Sequence, residues 1–264
     1  MKSFMVAALL ATAPVVVNPA MGDPLPEPLE TQRQAAIELA LRACDGEQTA
    51  FNQLTALVLD DNLPAAQSIA WLVGNEACPD FGLVPAGQDR HHVAGQMTKR
   101  LALKGYPIAQ FGYGRNLMRG TNGIALDPKA GMDMLMNAAK GGYATAAVVL
   151  AEEIPKIRAL RPQDIVYLHD LLEFAEQEGV DQARVTLGRA QVYDALYSYS
   201  ENPLQAAQAI DFYDQIADTS PVAAARRDEL TGILQSVHGL SLDQARKQMA
   251  DQAADGDVAA ISID

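Results

Sequence analysis

Positive charge, aromatic rings and cysteine are all in short supply. The 264 residues carry 20 Lys and Arg against 33 Asp and Glu, so the formal net charge is 20 − 33 = −13. A surface this acidic repels phosphates, which argues against nucleic acid or an anionic membrane face as a partner. Only 6% of residues are aromatic, with a single Trp, while Ala is abundant. Small side chains let helix backbones approach closely, so the composition predicts a helical protein. The two cysteines, Cys44 and Cys78, have no His pair beside them and cannot supply four zinc ligands. No strand-like alternation stands out, and no GxSxG, HExxH, phosphate-loop or Cys/His nucleophile pattern occurs. No residue is therefore nominated as catalytic, and no metal or cofactor is expected. Apolar residues make up 49% of the chain, ample for a packed core.

The N-terminus reads as an address. Met1-Lys2-Ser3 is short and basic, Phe4 to Val17 is apolar, and Asn18-Pro19 breaks the run. Ala20-Met21-Gly22 then puts small residues at the −3 and −1 positions of a cleavage site, so residues 1–22 are expected to be a secretory signal peptide. Loss of Lys2 would leave a mature chain from near Asp23 with charge −13 − 1 = −14. No later segment is apolar enough to span a bilayer, so the mature chain is not expected to insert into a membrane. A periplasmic location is the expectation. In an oxidising compartment Cys44 and Cys78 suggest one disulfide. Closing that loop would contribute about 3.8 kcal/mol on chain-entropy grounds.

Self-comparison is more informative. Gly105, Gly142 and Gly179 are spaced by 142 − 105 = 37 and 179 − 142 = 37 residues. Ala109, Ala146 and Ala183 follow four residues later, and Gly114, Ala151 and Gly188 nine residues later. Upstream, Ala94, Met97, Leu101 and Ala102 align with Gly131, Met134, Ala138 and Ala139, and partly with Leu168, Leu171 and Ala175. This is helical spacing. Each unit is thus a pair: helix A begins after the Gly, and helix B precedes it. The Gly suits the left-handed position that ends a helix. One such hairpin cannot bury its own apolar face, but stacked neighbours can. Looser copies start near Asp61 and Asn202, giving about five to six hairpins. The segment Pro79 to Asp89 reads as a longer loop.

Lys104 to Gly120 (KGYPIAQFGYGRNLMRG), Gly123 to Lys129 (GIALDPK) and Ala138 to Gly142 (AAKGG) resemble the first helix, loop and second helix of a Sel-one-like repeat. That family is related to the tetratricopeptide repeat. The resemblance is good over residues 90–151, weaker over 152–218 and weakest in the flanks. It implies an all-α, right-handed αα-solenoid of the kind that serves in adaptors and regulators. It divides the chain into a signal peptide (1–22), an N-terminal helical segment (23–88) and a repeat solenoid (89–264). Gly131 departs from the family's usual Ala, Met134 from its usual aromatic and Leu117 from a frequent Tyr, and one residue is inserted before Gly123.

Patterns that hint at other chemistries have plainer explanations. Gly112-Tyr113-Gly114 begins like a dinucleotide loop but follows a helix and lacks the third Gly, so close packing explains it better. His91-His92 are adjacent and point about 100° apart on a helix, which suits a solvated helix start better than a metal site. His169 and His238 are isolated, and Glu152-Glu153 are sequential carboxylates with nothing to aim them at one cleft. The acidic tail from Asp251 to Asp264 reads as a frayed cap.

The sharper pattern is a charge ladder. Arg115, Glu152 and Arg189 occupy one repeat position, each directly after the small residue of helix A. By resemblance to tetratricopeptide arrays, that position and those of Ile108, Phe111 and Met118 face the concave groove. The ladder would then read a peptide's charged groups, unless its members pair with their neighbours instead. The expectation is a periplasmic scaffold or regulator that binds a protein or peptide partner, such as the ectodomain of an envelope membrane protein. The alternative is a cell-wall or β-lactam hydrolase on the same repeat fold, an activity that the family resemblance also implies.

Overall fold

The computed structural model describes residues 27–157 and 162–254. The expected signal peptide and the end of the acidic tail lie outside the described residues. Within them the chain is all-helical, with twelve helices and no strand. They are α1 (Glu27–Cys44), α2 (Gln48–Leu59), α3 (Leu63–Gly74), α4 (Arg90–Leu103), α5 (Pro107–Arg119) and α6 (Pro128–Lys140). There follow α7 (Ala144–Ile157), α8 (Pro162–Gln177), α9 (Gln182–Ser200), α10 (Pro203–Ile216), α11 (Pro221–Val237) and α12 (Leu242–Ala254). No helix among the described residues is long and apolar enough to cross a membrane.

Local chemistry sets these boundaries. Asn62, Asp89, Asp127, Asp181, Asn202 and Ser220 each accept a backbone N–H of the helix that follows, at 2.7–3.3 Å. Proline opens α5, α6, α10 and α11, where its missing N–H costs nothing. The three glycines spaced by 37 residues all lie at positive φ, +86° for Gly105, +87° for Gly142 and +72° for Gly179. Each closes its helix with the same pair of bonds. The glycine N–H reaches back three residues, and the next N–H reaches back five: Gly105 to Ala102 and Tyr106 to Leu101, Gly142 to Ala139 and Tyr143 to Ala138, Gly179 to Glu176 and Val180 to Ala175. The repeat is therefore present at the level of individual hydrogen bonds. Asp61, between α2 and α3, makes the same closure at φ +58° without a glycine, bonding to Val58 while Asn62 bonds to Leu57.

Two compact units divide at Ala146/Ala147. In the first, neighbouring helices pack in sequence from α1 to α6, and α1 also packs on α3. Ala36, Leu54, Ile69 and Leu72 centre one core, and Leu101, Tyr106, Ala109 and Leu117 another. Cys44, the last residue of α1, is disulfide-bonded to Cys78 just beyond α3, with the Cα atoms 4.4 Å apart. Arg90 completes that corner. Its guanidinium donates to the carbonyls of Leu72 (2.9 Å), Val73 (2.8 Å) and Cys78 (3.0 Å), so one cation serves the carbonyl end of α3 and the disulfide loop together. The stacked rings of Phe51 and Phe81, 4.2 Å apart, hold the same loop against α2.

The loop before Gly123 is held in place as well. Asn116 Oδ1 accepts from Thr121 and Asn122, and the loop lies so close to α4 that a Cβ on Gly95 would stand 2.2 Å from the Asn122 carbonyl oxygen. In the second unit Leu168, Leu171, Leu172, Ile210, Leu230 and Leu234 are fully buried. There Asp194 on α9 takes a two-pronged bond from Arg226 on α11 (2.7 and 2.8 Å) and one from the Tyr213 hydroxyl on α10 (3.1 Å). A single carboxylate thus ties three helices.

Candidate functional site

Four of the expected partner-binding residues share α5, and all four are half-buried. Phe111 meets the ring of Tyr143 edge-on at 5.1 Å, and the Arg115 guanidinium lies over Phe111 at 5.5 Å. Met118 packs on α6, where a Cβ on Gly131 would come within 2.8 Å of its Cγ. The other two rungs belong to the second unit and do not pair with each other. Glu152 on α7 faces Arg184 at 3.5 Å, and Arg189 on α9 binds Glu176 at 2.6 Å. The Arg189 bond holds the Glu176 carboxyl below its ordinary pKa. Glu153 pairs instead with Lys156 at 3.0 Å. Glu152 and Arg189 therefore each have an oppositely charged neighbour within the second unit.

Ile108 leads elsewhere. It borders a cavity of about 320 Å³ in the first unit, between α1, α3 and the start of α5. Arg33, Ile37, Ala40 and Leu41 come from one face of α1, and Pro64, Gln67, Ser68 and Trp71 from one face of α3. Tyr106, the residue that caps α5, and Ile108 complete the wall. This volume is at the lower end of the roughly 300–1,000 Å³ of small-ligand sites. The lining is mostly apolar. Its rim is exposed: Trp71, the only Trp of the chain, is 43% accessible and Leu41 52%.

The polar groups of this cavity are few and unequal. Arg33 is committed, its Nε and Nη2 donating to the two carboxylate oxygens of Glu30 at 2.7 and 2.5 Å. That bond lowers the Glu30 pKa and raises that of Arg33. Tyr106 is only 2% accessible, yet its hydroxyl has no hydrogen-bond partner, and neither has Oε1 of Gln67. Burial pushes the Tyr106 phenol well above its ordinary pKa, so it is neutral at physiological pH, with its proton available to donate. A buried polar atom left unpaired costs about 1–3 kcal/mol. Two of them on residues lining one cavity are therefore conspicuous.

The histidines lie apart from this cavity. His91 contacts Glu76 at 3.2 Å on the surface, and His238 contacts the Tyr197 hydroxyl at 3.1 Å. Half-buried His169 has its pKa lowered, first by burial and then by the Arg189 cation. Among the described residues no three His, Cys, Asp or Glu side chains converge as a metal site would require.

The α1 and α3 halves of the cavity were missed in the sequence. The signal was present: residues 33, 37, 40 and 41 and residues 64, 67, 68 and 71 each recur at one-face helical spacing. No protein-family model matches the chain, and no curated protein matches it. The likeness to Sel-one-like repeats rests on the residues quoted above.

Proposed function

We propose that the protein is a binding module of the αα-solenoid type, which takes a segment of another protein on the face formed by α1, α3 and α5. The observation that carries this reading is the apolar cavity on that face, rimmed by exposed Trp71 and Leu41. Alternate helices of a hairpin array line one surface, and arrays of this kind bind extended segments there. Ile108, Phe111 and Arg115 would continue the surface along α5. The role is that of a scaffold or regulator in an envelope compartment. The Cys44–Cys78 disulfide suits an oxidising location, and the apolar leader with its small-residue cleavage site suits export to the periplasm. The ectodomain of an envelope membrane protein fits this setting as the partner, and the net charge of −13 disfavours nucleic acid.

The test is affinity capture of the tagged, exported protein after crosslinking in living cells, comparing Leu41→Glu with Val237→Glu. Both side chains are exposed apolar residues, at 52% and 68%, so neither change should disturb folding. The reading predicts that Leu41→Glu loses the partner and Val237→Glu keeps it. Equal recovery by both variants would contradict it.

A further inference from the structure

Tyr106 Oη and Gln67 Oε1 are two unsatisfied, solvent-closed atoms on residues that line a mostly apolar cavity. One is an O–H that donates, and the other is a carbonyl oxygen that accepts. The arginine beside them is already paired, its Nε and Nη2 both held by Glu30. The chain as a whole is strongly negative. A carboxylate, a phosphate or an acidic side chain would therefore enter with no unpaired cation among the described lining residues and with long-range repulsion against it. A group that is neutral, and that carries one acceptor and one donor next to apolar surface, suits every wall of the cavity. A peptide bond flanked by an aliphatic or aromatic side chain is such a group.

We infer that the cavity reads an internal, uncharged apolar segment of the partner, with Tyr106 donating to a peptide carbonyl and Gln67 accepting the N–H of the same or the next residue. The inference rests on the proposed binding role and specifies its chemistry. Ile37, Leu41, Trp71 and Ile108 would cover the apolar side chain. Both polar atoms are closed to solvent, so the segment reaches them by displacing the rim, where Leu41 and Trp71 are exposed and can change rotamer. Pairing the two atoms relieves a desolvation cost that the free protein carries. Such a site selects by shape and by hydrogen bonds to the main chain, as grooves for extended segments do. A chain terminus would be a poor occupant, because its charge would stay unpaired.

The lone tryptophan makes this measurable in the full-length protein. The probes are acetylated and amidated Gly-Ser hexapeptides with Leu, with Phe or with no apolar residue at the centre. A fourth probe is the Leu peptide ending in that Leu with a free carboxylate. The expected result is a saturable change in Trp71 emission with the blocked Leu and Phe peptides at up to millimolar concentration. Salt should have little effect. The Gly-Ser peptide should be inert, and the free acid should bind at least fivefold more weakly. Tyr106→Phe should weaken the Leu peptide about fivefold while the melting temperature stays level or rises, since the variant removes an unpaired hydroxyl. A purely structural Tyr106 would move the melting temperature and leave the affinity alone.

Tighter, salt-sensitive binding of the free acid would overturn the inference and assign a carboxylate site. So would Trp71 emission unmoved by either apolar peptide, or equal affinity of wild type and Tyr106→Phe. In each of these cases loss of the cellular partner in Leu41→Glu would still stand, so failure of this chemistry is separable from failure of the binding role.

Discussion

Gly114 and Gly131 meet across the α5–α6 interface, each placed so that a Cβ on it would stand 2.9 Å from the carbonyl oxygen of the other. The close approach explains two features of the sequence at once: the small residue nine positions after Gly105, and the glycine at 131. Gly114→Ala gains helix propensity worth at most about 1 kcal/mol. It also forces a methyl against backbone, and overpacking of that kind costs about 1–3 kcal/mol. The obstacle is main chain and cannot rotate away, so a net loss of roughly 1–2 kcal/mol is expected. Gly232, exposed in α11 with nothing within 4 Å of its added Cβ, is the control. Gly232→Ala should stabilise by about 0.5–1 kcal/mol. Denaturant unfolding of both variants checks the opposite signs.

The turn at Asp61 offers a second test of the repeat. It makes the same closure as Gly105, Gly142 and Gly179 but holds an L side chain at φ +58°. Its carboxylate is exposed, and its nearest cation, Lys104 Nζ, is 3.8 Å away and also exposed, a pair of little value. Asp61→Gly should therefore stabilise by about 0.5–1 kcal/mol, and Gly142→Ala should destabilise by about 1–2 kcal/mol. Thermal melts of the two variants separate these outcomes.

The disulfide closes a loop of 34 residues that holds α2 and α3, and it ends on the corner that Arg90 fastens. Replacing both cysteines by Ser should cost about 2–4 kcal/mol. The loss should show first as faster hydrogen exchange in α1 and α3, the two helices that form most of the cavity wall. Unchanged exchange in these helices would leave the bond without a role in shaping the cavity.

Acid should weaken the second unit in two stages. The folded-state pKa of His169 lies below its ordinary 6.5, so the native state binds fewer protons than the unfolded chain. Its contribution is present above pH 6.5 and is lost as pH falls through the lowered value. Glu176, held down chiefly by its bond to Arg189, follows below its ordinary 4.5. Urea unfolding between pH 8 and 3 should show both losses, and His169→Asn should flatten only the upper one. At the alkaline end, burial pushes Tyr167 and Tyr193 up to about 12, so stability that is full below pH 10 should fall above it.

Helices, their pairing and their turns were legible because they depend on local chemistry. Glycine at a left-handed turn, proline at a first position and a carboxylate or amide at a cap act within a few residues. The Cys44–Cys78 pairing followed from a count of two. The candidate site was harder to read. Periodicity assigned Arg115, Glu152 and Arg189 to one repeat position, yet Glu152 met Arg184 and Arg189 met Glu176, partners set by helix packing rather than by spacing. The cavity joins residues 33, 67 and 106, brought together by the packing of α1 on α3 and by the turn that begins α5. The unpaired state of Tyr106 has no sequence signature at all, because a buried tyrosine beside a proline looks like ordinary core.

The most direct test of the account places a photo-activatable side chain at position 41, on the cavity rim, and at position 237 as a reference, and maps the crosslinked residues after illumination of living cells. The account predicts one predominant adduct from position 41, joined to an internal apolar, uncharged segment of a single partner, and no such adduct from 237. Adducts of equal yield at both positions, or an adduct from 41 on a charged or terminal segment, would contradict it.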